Sequence, residues 1–213
     1  MVNFIIISYF PMRGRAEMMR FLLSDQGCRW TDEEISFEKW ASGEVDFKQT
    51  AVFGQMPRMK DGDFTLYQSG AIMRYLARKH GLYGKNDKEA GLIDMTSIGL
   101  DDLREKYLRL IYLEYDTGKE AYIENLPSQL ARFENILSQN NKGSGFLVGT
   151  KISFVDYVML DILQIHLVLA PDCLKDCPLL TAYMDRIASR PKLRAYLESD
   201  AHKTRPINSN GNQ

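Results

Sequence analysis

Along roughly the first eighty residues apolar runs alternate with helix-spaced stretches, and beyond them only helical spacing remains. Phe4 to Ser8 is an apolar run of strand length. Arg15 to Ser24 places Ala16, Met19, Leu22 and Leu23 on one helical face, and a further strand is expected around Trp30. Together these make a β-α-β unit. The span from Phe37 to Phe53 is mixed in charge and weakly periodic, which predicts irregular chain with a short helix. From Gln55 two short apolar runs flank Lys60-Asp61-Gly62-Asp63, an Asp-Gly turn signal for a hairpin. Tyr67-Gln68-Ser69-Gly70 stops the second run, and Ser69 is placed to cap a helix running from Gly70 towards His80.

The order β-α-β, loop, β-β-α implies four strands with one right-handed parallel crossover and one antiparallel hairpin, an α/β thioredoxin-like layer over residues 1–80. Gly81 to Asp87 reads as a linker (81–87), and the strand signals end there. Residues 88–213 then form an all-helical domain. Leu92, Met95, Leu103, Tyr107, Leu110 and Ile111 predict one long helix or a broken pair, and Leu126, Leu130, Phe133 and Leu137 a second. Ser153-Phe154-Val155-Asp156 reads as a capping box. The helix that follows, up to Pro171, is apolar nearly all round and is expected at the centre of the helical bundle. Shorter helices are expected over Leu179 to Ser189 and Lys192 to Ser199, separated by Pro191 and followed by a polar tail.

Charge narrows the partners. The chain has 213 residues with 27 Lys plus Arg against 28 Asp plus Glu, so no net field draws it to nucleic acid or an acidic membrane. Its start lacks a signal-peptide pattern, and the longest later apolar segment, Val155 to Ala170, is interrupted by Asp156, Asp161 and His166. A soluble, cytoplasmic protein is expected. The three cysteines form no disulfide framework, and Cys173 with Cys177 lacks the partner ligands of a zinc site.

The candidate chemistry lies where the first strand meets the first helix, at Tyr9-Phe10-Pro11-Met12-Arg13-Gly14-Arg15. There is no Cys-x-x-Cys here, so any reactive thiol must come from a substrate. What the chain offers is the Tyr9 hydroxyl and the Arg15 guanidinium. A tyrosine beside an apolar strand is more often a core-edge residue. Ser69, at a helix start, offers an anion site, although an isolated serine there most often only caps its own helix.

Across nearly its whole length the chain resembles a cytosolic glutathione S-transferase of the pi class. The resemblance rests on Tyr9-Phe10-Pro11 with Arg13-Gly14-Arg15, Phe53-Gly54-Gln55-Met56-Pro57, Asp61-Gly62-Asp63, Tyr67-Gln68-Ser69, Ile152-Ser153-Phe154 with Asp156-Tyr157, Arg190-Pro191-Lys192-Leu193 and Pro206-Ile207-Asn208. It implies a homodimer that adds the sulfur of glutathione, a co-substrate and not a cofactor, to hydrophobic electrophiles, with no metal. Tyr9 then resembles the tyrosine that hydrogen-bonds the sulfur, with Arg15 adding positive charge. Gln68 and Ser69 resemble the pair that takes the γ-glutamyl end, and Asp102 the aspartate supplied by the other subunit. Trp40 and Lys48 resemble the holders of the glycine carboxylate; outside that frame they are a loop anchor and a surface charge. Gln55 belongs to the same binding set, and Met56 before Pro57 resembles the position whose backbone pairs with the cysteinyl residue. Phe10, Met12, Phe37, Leu108 and Tyr112 are the implied electrophile wall, and Phe53 an aromatic dimer contact where many pi members carry tyrosine. Ala51 and Glu105 stand where well-known pi members have reactive cysteines, which argues against a thiol switch. Readings that compete with conjugation are a non-catalytic binder of hydrophobic ligands or proteins and a glutathione-dependent isomerase.

Overall fold

The computed structural model describes residues 4–43 and 51–213. The chain divides into two compact units, residues 1–76 with 191–207, and residues 77–190 with 208–213. The return of 191–207 to the first unit has no counterpart in a division that is linear along the sequence.

In the first unit four strands lie in the order β2-β1-β3-β4. The strand β1 (Ile5–Tyr9) pairs in parallel with β2 (Trp30–Glu34) and antiparallel with β3 (Arg58–Asp61), which pairs antiparallel with β4 (Phe64–Tyr67). The expected mixed sheet is therefore present. Strand β1 runs one residue further than its apolar run, because the Tyr9 carbonyl still accepts from Ile35 N–H at 2.8 Å. The hairpin closes on the pair Asp61 and Phe64, leaving Gly62 and Asp63 as its two turn residues. Gly62 takes φ 65°, a conformation that suits glycine at this place.

Helix α1 (Glu17–Asp25) follows a tight turn at Gly14–Ala16 and is buried almost all round, including Glu17 and Arg20. The one-sided pattern in the sequence understates this. The extra cover comes from α8 (Pro191–Leu197) and α9 (Asp200–Lys203), whose Tyr196 and His202 rings lie 6.1 and 5.7 Å from that of Phe21. Pro191 starts α8 where the sequence pattern made it a separator; proline suits a first helical position because no N–H is needed there. Helix α2 (Phe37–Ser42) is capped by Ser36, whose hydroxyl accepts from Lys39 N–H at 3.2 Å. Helix α3 (Ser69–His80) buries Ile72, Met73, Leu76 and Ala77 on one stripe.

The second unit is helical: α4 (Asp87–Arg109), a wide turn at Leu110–Glu114, α5 (Tyr115–Gln139), α6 (Phe154–Leu169) and α7 (Pro178–Ala188). Of the two expectations for its first half, the long helix is what forms: α4 carries Leu92 to Tyr107 without a break, and Leu110 and Ile111 fall in the wide turn after it. Helix α6 is buried except at Gln164, Leu167 and Val168, as its all-round apolarity predicts for a bundle centre. The expected capping box begins it. Asp156 accepts from Ser153 N–H at 2.7 Å and from the Ser153 hydroxyl at 3.0 Å. It also takes Leu147 N–H at 3.0 Å and the Tyr183 hydroxyl at 2.8 Å.

Buried in α6, His166 faces the Ile162 carbonyl through Nδ1 at 2.6 Å and the Tyr122 hydroxyl through Nε2 at 2.8 Å. A carbonyl only accepts, so Nδ1 carries the proton and Nε2 accepts from Tyr122. Burial, with the positive charge of Arg104 as a smaller cause, pushes the His166 pKa down to about 4. A neutral imidazole is thus favoured in the folded chain. Its contribution to stability is complete above the unfolded value of about 6.5 and is lost as pH falls towards 4. Urea unfolding should show a loss of roughly 2 to 3 kcal/mol between about pH 7 and pH 4.5 that His166→Gln removes. Equal losses in both proteins would sink this assignment. Glu17, whose folded carboxyl is held at about 2, contributes stability that is lost as pH falls from the ordinary value of 4.5 towards 2, below this range.

Candidate functional site

The sheet register gathers the predicted residues of the first unit at one end. Tyr9 is the last residue of β1 and Glu34, its partner, the last of β2. Ser8 pairs with Arg58, so the Met56-Pro57 peptide, which is cis, enters β3 at that same end. Arg58 pairs with Tyr67, so Gln68 and Ser69 leave β4 there too. Carboxyl ends of strands beside helix starts are where α/β layers hold ligands.

Tyr9 is 6% exposed and its hydroxyl accepts a hydrogen bond from Arg15 N–H at 3.2 Å. The sequence pointed to the Arg15 guanidinium; the contact to the phenol is made by its backbone. Between them Gly14 has φ 43°, and a Cβ there would lie 2.7 Å from the Tyr9 hydroxyl. Only glycine lets the phenol rest over this turn. Two carbonyls from the C-terminal segment hold the turn from behind. Pro206 accepts from Arg13 N–H at 2.8 Å and Ile207 from Gly14 N–H at 3.2 Å. Such backbone ties leave no mark in the side-chain pattern, and the sequence reading missed them.

Phe10 joins Tyr9 to α2. Its ring stacks on Phe37 at 4.5 Å with a 12° tilt, meets Trp40 edge-on at 5.8 Å, and lies 5.4 Å from the Tyr9 ring. Met12, buried, sits on the same turn. Four predicted residues, assigned to three different tasks, thus form one aromatic cluster. Phe37 is 44% exposed, leaving an apolar face open to a ligand.

The second group surrounds the start of α3. Gln68 donates through its side-chain amide to Gln55 at 2.9 Å and holds φ 71°, which is uncommon for a residue with a side chain. Its carbonyl accepts the first helical bond, from Ile72 N–H at 2.9 Å. Ser69 is therefore the first residue of α3, and the capping place expected for it belongs to Gln68. The shift follows from the left-handed backbone of Gln68, which no composition signal announces. Ser69 is 8% exposed, and among the described residues no hydrogen bond holds its hydroxyl.

Lys48 falls outside the described residues. Asp102 and Glu105 are exposed on α4 and Leu108 is half-buried on it. Tyr112 stands in the wide turn at Leu110–Glu114, 41% exposed, and its oxygen accepts from Ser209 N–H and the Ser209 hydroxyl, each at 3.3 Å. Asn210 and Asn212 both donate to the Ile111 carbonyl, at 2.8 and 3.1 Å, so the tail is strapped across that turn. Phe53 is 66% exposed and Ala51 is buried. Among the described residues no group of three or more His, Cys, Asp or Glu side chains is placed to hold a metal.

Two family models cover most of the chain. The glutathione S-transferase N-terminal domain matches residues 6–78 and the C-terminal domain of the same family residues 101–200. The chain is 58% identical over 207 residues to glutathione S-transferase P 1 of Bufo bufo, spanning 97% of this chain and 98% of that one. Against glutathione S-transferase P of Bos taurus the identity is 53% with the same coverage. Among solved structures, the pi-class glutathione S-transferase of Onchocerca volvulus superposes with a TM-score of 0.93 at 41% identity, covering 98% of this chain and 99% of that one.

Proposed function

Because the chain belongs to the glutathione S-transferase family, and within it to the pi class, we propose that it conjugates reduced glutathione to hydrophobic electrophiles through a thiolate held by Tyr9. The observation that carries this reading is the hydrogen bond from Arg15 N–H to the Tyr9 oxygen. A phenol oxygen that accepts there becomes a better donor of its own proton to a sulfur anion. Tyr9 acts as a neutral donor, so no histidine or carboxylate base is required.

The magnitude is sufficient. Bringing a thiol from about 8.5 to roughly 6.5 needs about 2.7 kcal/mol, and one hydrogen bond to a charged group contributes about 1.5 to 3. The thiolate then attacks the electrophilic carbon, and the leaving group departs with its electron pair or, in additions, the new anion takes a proton.

In the same proposal Ser69 and the first turn of α3 receive the γ-glutamyl carboxylate, with Gln68 beside it. The Met56-Pro57 segment pairs with the cysteinyl backbone, while Trp40 and Lys48 hold the glycine carboxylate. Phe10, Phe37 and Met12 offer the electrophile an apolar surface on the first unit, and the family pattern adds Leu108 and Tyr112 of the second to this proposed role. Asp102 meets the γ-glutamyl ammonium of the partner's site in a homodimer. The dimer is supported by Leu92, Met95 and Ile98, which are about half exposed in one stripe along α4, and by the exposed Phe53. No helix among the described residues is long and apolar enough to cross a membrane, which fits action in the cytoplasm.

Ultraviolet titration of the thiolate and conjugation of an aryl halide test the core of this. Tyr9→Phe should raise the pKa of bound glutathione by about two units and lower kcat/KM about 100-fold at mildly acidic pH. A fully active variant with an unchanged bound-thiol pKa would overturn the mechanism.

A further inference from the structure

We propose that Arg20 is a positioning residue for the thiolate chemistry, acting from inside the first unit by fixing the turn that aims Tyr9. The proposal rests on the role of Tyr9 given above and adds residues that the sequence did not point to.

Arg20 lies on α1 with its side chain fully buried. Its Nη1 donates to the carbonyls of Met12 at 3.1 Å and Arg13 at 3.3 Å. These two carbonyls belong to consecutive peptide units, so holding both fixes the backbone on either side of Arg13. The next two residues are Gly14, packed under the phenol, and Arg15, whose N–H binds its oxygen. A tilt of the Arg13-Gly14 peptide would pass directly to that N–H. Arg20 is thus two covalent steps behind the hydrogen bond that carries the proposed function.

Arg20 is itself held by a buried network. Nη1 meets Glu17 Oε2 at 2.8 Å and Nε meets Asp32 Oδ1 at 2.8 Å. The other oxygen of Glu17 accepts the Tyr196 hydroxyl at 2.9 Å and faces His202 Nδ1 at 2.8 Å. Arg205 binds the other oxygen of Asp32 at 2.8 Å. Arg13 reaches the same corner, donating through Nη2 to the His202 carbonyl at 2.9 Å. Burial alone would raise the Glu17 carboxyl, yet the His202 hydrogen bond and the Arg20 charge hold it down at about 2.

A buried charge network is poor value as mere packing, since well-fitted apolar side chains stabilise a core as well or better. What an apolar side chain cannot do is donate to the two carbonyls, which both fall to Nη1 while Asp32 holds the planar group at Nε. Nη1 of the guanidinium thus holds the turn, Nη2 meets no partner among the described residues, and the turn serves Tyr9.

The test uses the full chain, with Arg20→Lys, which keeps the charge and loses the planar group that Asp32 braces through Nε, and the milder Glu17→Gln, each made with Tyr9 and with Tyr9→Phe. The pKa of bound glutathione is read by thiolate absorbance. Arg20→Lys should raise it by about one unit and lower kcat about tenfold at mildly acidic pH, with KM for glutathione changing less than about threefold. Glu17→Gln should shift it in the same direction by a smaller amount. Neither substitution should add a shift in the Tyr9→Phe background, because the effect passes through the phenol. An unchanged pKa in the folded variants, or an equal shift without the phenol, overturns the proposal. Should Arg20→Lys fail to fold, Glu17→Gln decides alone. If Tyr9→Phe itself left the bound-thiol pKa unmoved, the mechanism under test would be the one that failed, so the two failures are distinct.

Discussion

Gly14→Ala is expected to lower kcat/KM for conjugation by about 100-fold or more at mildly acidic pH and to cost about 2 kcal/mol of stability. The new methyl carbon would stand 2.7 Å from the Tyr9 hydroxyl oxygen and 2.8 Å from Cε1 of its ring. Something has to move. The turn cannot easily do so, because Pro206 and Ile207 hold its two N–H groups and Arg20 holds its two carbonyls. Tyr9 belongs to a strand paired on both sides, so the yielding part is its ring. A displaced phenol is no longer in reach of the sulfur. The left-handed backbone at φ 43° adds strain of about 1 to 2 kcal/mol for any residue with a Cβ. Bound-thiol titration should give Gly14→Ala the same raised pKa as Tyr9→Phe, and combining the two should add little. A wild-type thiol pKa in Gly14→Ala would mean that the turn, and not the ring, gives way.

Asp156→Ala should destabilise the chain by about 3 to 5 kcal/mol with little effect on the thiol pKa of whatever fraction remains folded. This carboxyl begins α6, the helix buried on nearly every side, and its two oxygens receive four donors from Ser153, Leu147 and Tyr183. Burial raises its pKa despite those bonds. Removing it strands buried N–H and O–H groups together, which is costlier than losing an exposed cap. Urea unfolding measures the loss directly. A change under about 1 kcal/mol would show that water or a rearranged Ser153 replaces the carboxyl.

The sequence carried the architecture well because its signals there are local. Apolar runs of strand length, the Asp-Gly turn, the all-round apolarity of Phe154 to Leu169 and the Ser153 to Asp156 spacing are each read within a short stretch of chain. The cleft residues Tyr9, Phe10, Phe37 and Trp40 were legible through the family pattern, and the structure brings their rings together. Three things were not legible. The left-handed Gln68, which moves the helix start by one residue, is a backbone property that glutamine does not advertise. The contact to Tyr9 comes from the N–H of Arg15, and every residue but proline has one. The network of Glu17 and Arg20 was not legible either, because Glu17 meets Tyr196 and His202 about 180 residues further along, and nothing in the spacing of Arg20 marks its contacts with Met12, Arg13 and Asp32.

The discontinuity of the first unit has a consequence for how the protein is made. A ribosome releases β1, α1 and the hairpin long before residues 191–207 exist, so the sheet can pair early while the turn beneath Tyr9 still lacks the carbonyls of Pro206 and Ile207. The ties beneath Tyr9 are therefore among the last contacts the first unit acquires. A nascent or C-terminally clipped molecule without residues 206 and 207 holds the sheet while the N–H groups of Arg13 and Gly14 lack these two acceptors.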